Sequence, residues 1–450
     1  MQQFKIRLLF SLFSIFSIGL FSQDAGNAMK LKDCVSYAIE NNARVEKARL
    51  EVEKSKRKIK EYISTALPSV NADIDFRWNI ELPTQQLPGE IIGVPGELVP
   101  VQFGTNLNTG TGLSVSQAIF DKRYSIGLEG ARKVVELNGV AHEKSKEAIA
   151  YEVGKLYYQA LVTKKQGDIL TANLKQIEKL LSLTDTQYRN GFATKTDVDR
   201  LRVTKTNLET QIENLQLQYG QLLDVMKNLM SMPLEQEIVL ADTIINQKYE
   251  LPSAVALKPD FSNKTEIRLL AIQDRLNQIN VEQLRAGYYP SVDLLGGYGL
   301  QAQADNFDQL ANSDFWFSFS YVGLKVSVPI FDGFAKKSRI AQAQVQIEQW
   351  RQDKLATELD LNLQHRQAQQ QLQLNYNNLQ SLAENRRVAE EVYRISEKRF
   401  SEGVANITEL LSAETAMREA QTNYLTTLLR LNLAELELLN ARGEIMTLTN

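Results

Sequence analysis

A chain that carries the same segments twice folds as two versions of one plan, and this chain does so over most of its length. Gly112-Leu113-Ser114-Val115-Ser116-Gln117-Ala118-Ile119-Phe120-Asp121 returns as Gly323-Leu324-Lys325-Val326-Ser327-Val328-Pro329-Ile330-Phe331-Asp332. Pro68-Ser69-Val70 returns as Pro290-Ser291-Val292. Gly191-Phe192-Ala193-Thr194-Lys195-Thr196-Asp197-Val198 is echoed by Gly403-Val404-Ala405-Asn406-Ile407-Thr408-Glu409-Leu410. The pairs keep their order at offsets of 211, 222 and 212 residues, so each copy is a structural unit of roughly two hundred residues.

Proline placement divides that unit. All ten prolines fall at 68–100, 233–259, 290 and 329, leaving 101–232 and 330–450 without any, as long unbroken helices require. Tyr124–Asn190 and Lys337–Glu402 are rich in Leu, Gln, Lys, Glu and Ala, with apolar rows such as Leu170, Leu174, Ile177 and Leu181, or Leu425, Leu428 and Leu429. Each would reach about 100 Å at 1.5 Å per residue, a length that needs coiled-coil packing. Gly191 and Gly403 interrupt the pattern once per copy, which predicts two antiparallel helical hairpins turned by left-handed glycines. Thr194 and Asn406 then cap the returning helices, with Asp197 and Glu409 at the capping-box position.

Short alternating segments lie between the helices. Val70, Ala72, Ile74, Phe76 and Trp78 alternate with Ser69, Asn71, Asp73, Asp75, Arg77 and Asn79. Val292, Leu294, Tyr298 and Leu300 alternate in the second copy. Leu113, Val115 and Ile119 are expected to share a face, as are Leu324, Val326, Val328 and Ile330. Phe315, Phe317, Phe319 and Tyr321 have the opposite parity, which predicts a bulge or a strand start near Tyr321. An ordinary half-buried sheet alternates too. A strand with charges along one face and only apolar groups along the other instead suits an outer-membrane barrel. Each copy offers two strands, so a chain has four, too few to close. Eight leave an interior filled by side chains, and three chains give twelve around a channel.

The N-terminus supports export. Lys5 and Arg7 precede an apolar run from Leu8 to Phe21, followed by small and polar residues, the layout of a secretory signal peptide over 1–23. Its removal takes the formal charge from −3 to −5 by the loss of those two cations, the opposite of the basic excess of a nucleic-acid binder. Cys34 is the sole cysteine. It stands a dozen mostly polar residues past the apolar run and reads as a small buried helix residue rather than an acylation site.

The resulting layout places a first repeat at 24–232, with strands near 68–80 and 112–120 and a hairpin over 122–230. A connecting segment follows at 233–262. The second repeat spans 263–450, with strands near 290–302 and 315–331 and a hairpin over 335–440. Segments 81–111 and 301–314 read as extracellular loops. The paired Leu87-Pro88-Gly89-Glu90 and Val94-Pro95-Gly96-Glu97 would shape the mouth.

Taken together, the duplicated units, the Pro-Ser-Val strand starts, the Gly-Leu…Ile-Phe-Asp junctions and the turns Tyr188–Phe192 and Phe400–Val404 resemble the TolC family of outer-membrane efflux proteins. The resemblance spans essentially the whole chain after the leader. It implies a homotrimer in the outer membrane of a Gram-negative bacterium, a twelve-strand β-barrel continuous with a twelve-helix periplasmic tunnel. It further implies a periplasmic adaptor and an inner-membrane RND or ABC transporter as partners, and shorter helices from 31–65 and 233–262 in a belt around the tunnel. Aligned on the turn glycines, Asp197 and Glu409 fall where the family has gate acids, and Phe400 takes the place of a gate tyrosine. Ala405 stands where the family has an arginine, and Ser412 where it has a second ring aspartate, which leaves the ion-pair network of the gate without its usual partners. Gly191, Phe192, Gly403 and Val404 are the corresponding adaptor-contact candidates.

Other readings are weaker. A periplasmic coiled-coil adaptor or scaffold also has long hairpins but not the duplication with four amphipathic strands. No nucleophile–base pair, metal cluster or phosphate loop argues for an enzyme or a cofactor. His142 and His365 are expected at surface or lumen helix positions. Gly296-Gly297-Tyr298-Gly299 precedes no helix and reads as strand, and Gln364–Gln380 as a solvated helix face.

Overall fold

The computed structural model describes residues 28–91, 93, 95–241 and 261–449. The leader and residues 242–260 of the connecting segment lie outside them. Helices α1 (Leu31–Asn41) and α2 (Ala43–Ser64) lead into strand β1 (Ser69–Trp78), the short strands β2 (Thr84–Pro88) and β3 (Leu98–Gln102), and β4 (Leu107–Asp121). The long helix α3 (Lys122–Arg189) and the returning α4 (Lys195–Leu229) complete the first copy. The second copy comprises α5 (Thr265–Ala286), β5 (Ser291–Ala304), the single-turn α6 (Phe307–Ala311), β6 (Trp316–Ser327), α7 (Ala335–Ser401) and α8 (Ile407–Arg442).

The duplication is visible element by element. Helices α2 and α5 each have 22 residues, α3 and α7 have 68 and 67, and α4 and α8 have 35 and 36. The repeated Ile-Phe-Asp has a local cause at the strand-to-helix junction. Asp121 caps α3 by accepting from the Arg123 amide at 2.8 Å, and Asp332 accepts from the Lys336 amide at 3.0 Å at the start of α7.

One antiparallel sheet runs in the order β1-β4-β5-β6, and β2 and β3 form a separate hairpin. Several expectations need correction here. The segment 81–111 is not simply a loop, since it holds that hairpin and the first turns of β4, which begins at Leu107. The mirrored Pro-Gly-Glu motifs sit at the hairpin's end, where the Gly89 amide donates to Glu97 O at 2.8 Å and the Glu90 carboxylate accepts from the Gly96 amide at 3.3 Å. Likewise 301–314 contains the end of β5 and α6. Strand β6 stops at Ser327, short of 331, where Pro329 has no N–H to offer a ladder.

No bulge occurs near Tyr321. The β5–β6 pairing is unbroken from Ser291↔Ser327 to Ala302↔Trp316. The irregularity lies in β4 between Ala118 and Phe120, so Ile119 is the inserted residue and does not continue the Leu113–Val115 row. The aromatics of odd parity in β6 therefore face the polar side, and the sheet accommodates them with glycines: a Cβ at Gly297 or Gly299 would meet the Tyr321 or Phe319 ring at 2.6 Å.

The connecting segment supplies no helix among its described residues. Instead Met29 and 239–241 exchange backbone hydrogen bonds of 2.8 and 3.0 Å, and the second short helix is α5, which follows the segment. Arg275 of α5 pairs with Glu129 of α3 at 2.6 Å, and Trp350 of α7 donates to Leu270 O at 3.2 Å. His365 is not a surface or lumen residue within the protomer. It is buried, edge-on to Phe261 with ring centroids 6.0 Å apart.

Two cores hold the helices. The upper one joins α1, α3, α4, α7 and α8 around Cys34, Tyr157, Met226 and Leu428. The lower one joins both hairpins through Ile177, Leu201, Phe400 and Leu410. No described helix is long and apolar enough to cross a membrane.

Candidate functional site

The two hairpin turns share a backbone design. Gly191 and Gly403 adopt φ of +78° and +76°, the left-handed region where a Cβ is costly. The Phe192 amide donates to Gln187 O at 2.8 Å and the Val404 amide to Arg399 O at 2.9 Å, the six-residue closure that satisfies the last carbonyls of a helix. In such a closure the hydrophobe after the glycine usually folds back onto its helix. Phe192 and Val404 do not: they remain 86% and 68% exposed.

Past the turns the copies diverge. In the first, Thr194 and Asp197 form a reciprocal capping box, with the Asp197 carboxylate accepting from the Thr194 amide at 3.0 Å and its hydroxyl at 2.6 Å. In the second, Asn406 caps α8 alone, accepting from the Glu409 amide at 2.8 Å. The Glu409 carboxylate is released from capping and accepts from Arg399 of α7 at 2.7 Å. Glu409 thus departs from the capping-box expectation and gains an arginine partner from across the turn. Arg200 of α4 donates to the Thr408 hydroxyl, tying the hairpins together beside that pair. Phe400 is 8% exposed and packs in the lower core. Sequence reading missed Arg399 and Arg200, because neither stands at the position that Ala405 occupies. Their signal is a placement four residues before the turn glycine for Arg399 and nine after it for Arg200.

The sheet has one largely apolar face and one largely polar face, the latter also carrying Phe317, Phe319 and Tyr321 of β6. Residues directly paired across antiparallel strands share a face. One face carries Val70, Ile74, Phe76, Trp78, Leu113, Val322, Leu324 and Val326, and the other Asn71, Asp73, Asp75, Arg77, Ser114, Gln301 and Gln303. Those apolar side chains are exposed within the protomer. On the polar face lies a cavity of about 370 Å³. Both sheet edges, β1 and β6, lack a partner strand among the described residues. No group of described His, Cys, Asp and Glu side chains could hold a metal ion.

The comparisons agree with this geometry. The family model for outer membrane efflux proteins matches residues 34–229 and 262–444. Nodulation protein T of Rhizobium leguminosarum bv. trifolii is 22% identical over 352 residues, covering 76% of this chain and 73% of the relative. Among solved structures, CusC superposes with a TM-score of 0.74 at 16% identity, over 94% of this chain and 95% of its own. The CmeC outer membrane channel of Campylobacter jejuni superposes with a TM-score of 0.72 at 16% identity, over 92% and 85%. With duplicated hairpins below an amphipathic sheet, and a family match in both copies, this chain belongs to the outer membrane efflux protein family.

Proposed function

We propose that three chains close edge to edge, β6 of one on β1 of the next, into a twelve-strand barrel above a twelve-helix tunnel. The trimer then serves as the passive exit duct of a tripartite export system. The observation that carries this reading is the open four-strand sheet: two edges unpaired among the described residues, one exposed apolar face and one polar face. Unpaired edges of such a sheet are not tolerated in lipid. The order β1-β4-β5-β6 keeps every pairing in a closed ring antiparallel. Leu355, Leu359 and Leu363, exposed four residues apart on α7, give the tunnel a further apolar row to bury between protomers.

The lower end is the gate and the docking end. Glu409, held by Arg399, and Asp197 are the gate acids, and three Glu409 carboxylates around the axis attract cations. Phe400 acts from within the core by fixing the turn. Phe192 and Val404, carried on Gly191 and Gly403, are apolar knobs for a periplasmic adaptor that couples the duct to an inner-membrane transporter of the RND or ABC class. The test is electrophoretic. The purified protein migrates as a trimer without heating and as a monomer after boiling. A water-soluble monomer in both states contradicts the reading.

A further inference from the structure

The polar face of the sheet has a feature that neither barrel closure nor the helix junctions require. Strand pairing sets Asp73, Gly112, Gly299 and Phe319 in one row across all four strands. The row below is Asn71, Ser114, Gly297 and Tyr321, and the row above is Asp75, Gly110, Gln301 and Phe317. The far edges of the Phe319 and Tyr321 rings reach over Gly299 and Gly297, with Phe319 Cζ and Tyr321 Cε1 each 2.6 Å from where a Cβ would stand. From the opposite side the Asp75 carboxylate leans over Gly110, with Oδ1 2.8 Å from where a Cβ would stand. Neighbouring strands are about 4.8 Å apart, so the strip over Gly112 stays bare, a floor about one strand wide between carboxylates and rings. This strip is the lower part of the 370 Å³ cavity, which continues up to Arg77, Asn108 and Gln303.

The chemistry of its walls is specific. Neither Asp73 nor Asp75 forms an ion pair with a described residue, and Asp73 receives only a long 3.4 Å contact from the Ser114 hydroxyl. Arg77, one level further along, opposes two carboxylates with a single cation. The carboxylates on one wall supply charge for a cation, and the rings on the other supply apolar contact for a planar aromatic one.

We propose that this groove is a weak subsite for flat aromatic monocations on the wall of the duct. The assignment rests on the reading that the polar face lines the lumen. Weak binding suits a conduit, where cargo must leave as readily as it enters.

Ethidium is a suitable probe. Its binding to the detergent-solubilised protein is read by fluorescence anisotropy, and its block of single channels in a planar bilayer gives a second readout. The Asp73→Asn/Asp75→Asn double variant is expected to weaken both at least tenfold, and Phe319→Leu several-fold. Tetramethylammonium, which has the charge without the ring, is expected to bind at least tenfold more weakly than ethidium. Ethidium affinities within twofold of wild type in both variants, or equal affinity for tetramethylammonium, overturn the subsite. Variant-sensitive binding by a protein that never conducts supports the groove and contradicts the duct. Block that ignores both variants supports the duct and overturns the groove.

Discussion

Glu409 and Asp197 occupy equivalent places after equivalent turns, yet their carboxylates do different work. Asp197 closes a capping box, whereas Glu409 leaves capping to Asn406 and pairs with Arg399 at 2.7 Å. Both members of that pair are substantially exposed, and exposed pairs contribute about 0–1 kcal/mol to stability. A large change in conductance without a matching change in melting temperature would therefore mark the pair as part of the gate. Arg399→Ala and Glu409→Ala are each expected to raise the conductance of the isolated channel while leaving its thermal midpoint nearly unchanged. Unchanged conductance, with unchanged block by multivalent cations, would confine Glu409 to the local turn. The turn glycines and caps are legible in the sequence because backbone geometry restricts those positions to a few residue types. Arg399 is not, since an arginine ten residues before Glu409 meets it only once the hairpin has folded. The parity of Phe319 and Tyr321 misleads for a related reason: an aromatic ring can face the polar side when a glycine on the neighbouring strand leaves it room.

Among the elements, the lower halves of α3, α7 and α8 carry an unusual load of buried polarity. Thr184 Oγ1, Arg386 Nε and Tyr393 OH are buried without a hydrogen-bond partner among the described residues, and Glu414 Oε1 and Arg418 Nε have only their mutual ion pair at 3.3 Å. Glu414 is 2% exposed, and burial raises its pKa above the ordinary 4.5, partly offset by Arg418, whose Nε lies 3.3 Å away, and by the Thr415 hydroxyl. Tyr393 of the neighbouring α7 is itself raised by burial, with Glu397 of the same helix and Glu414 adding to the effect. A carboxyl whose folded pKa is raised contributes most when protonated, and that contribution is lost as pH rises from about 4.5 through the raised value. Thermal melts at pH 5 and pH 8 should show wild type losing stability relative to Glu414→Gln over that interval. Parallel pH dependences for the two proteins would show that Glu414 does not titrate there. Helix lengths were legible because prolines mark where helices cannot be. The β2–β3 hairpin was not, since Pro88, Pro95 and Pro100 argue against strands other than edge strands, and in a separate two-stranded hairpin both strands are edges.

At the scale of the whole molecule, duplication, helix length and amphipathic strands all point to an assembly larger than the chain. A sheet with an exposed apolar face and two open edges has no stable place in water or in lipid until neighbours close it. The sequence conveys that requirement, because strand count and alternation can be read directly. The chemistry of the sheet's polar face could not be read the same way, because it depends on which glycines stand opposite which rings. The most direct measurement is single-channel recording of the purified protein in a planar bilayer. Discrete, long-lived conductance steps from the heat-modifiable trimer are expected. A monodisperse monomer that inserts no conducting unit would contradict the account.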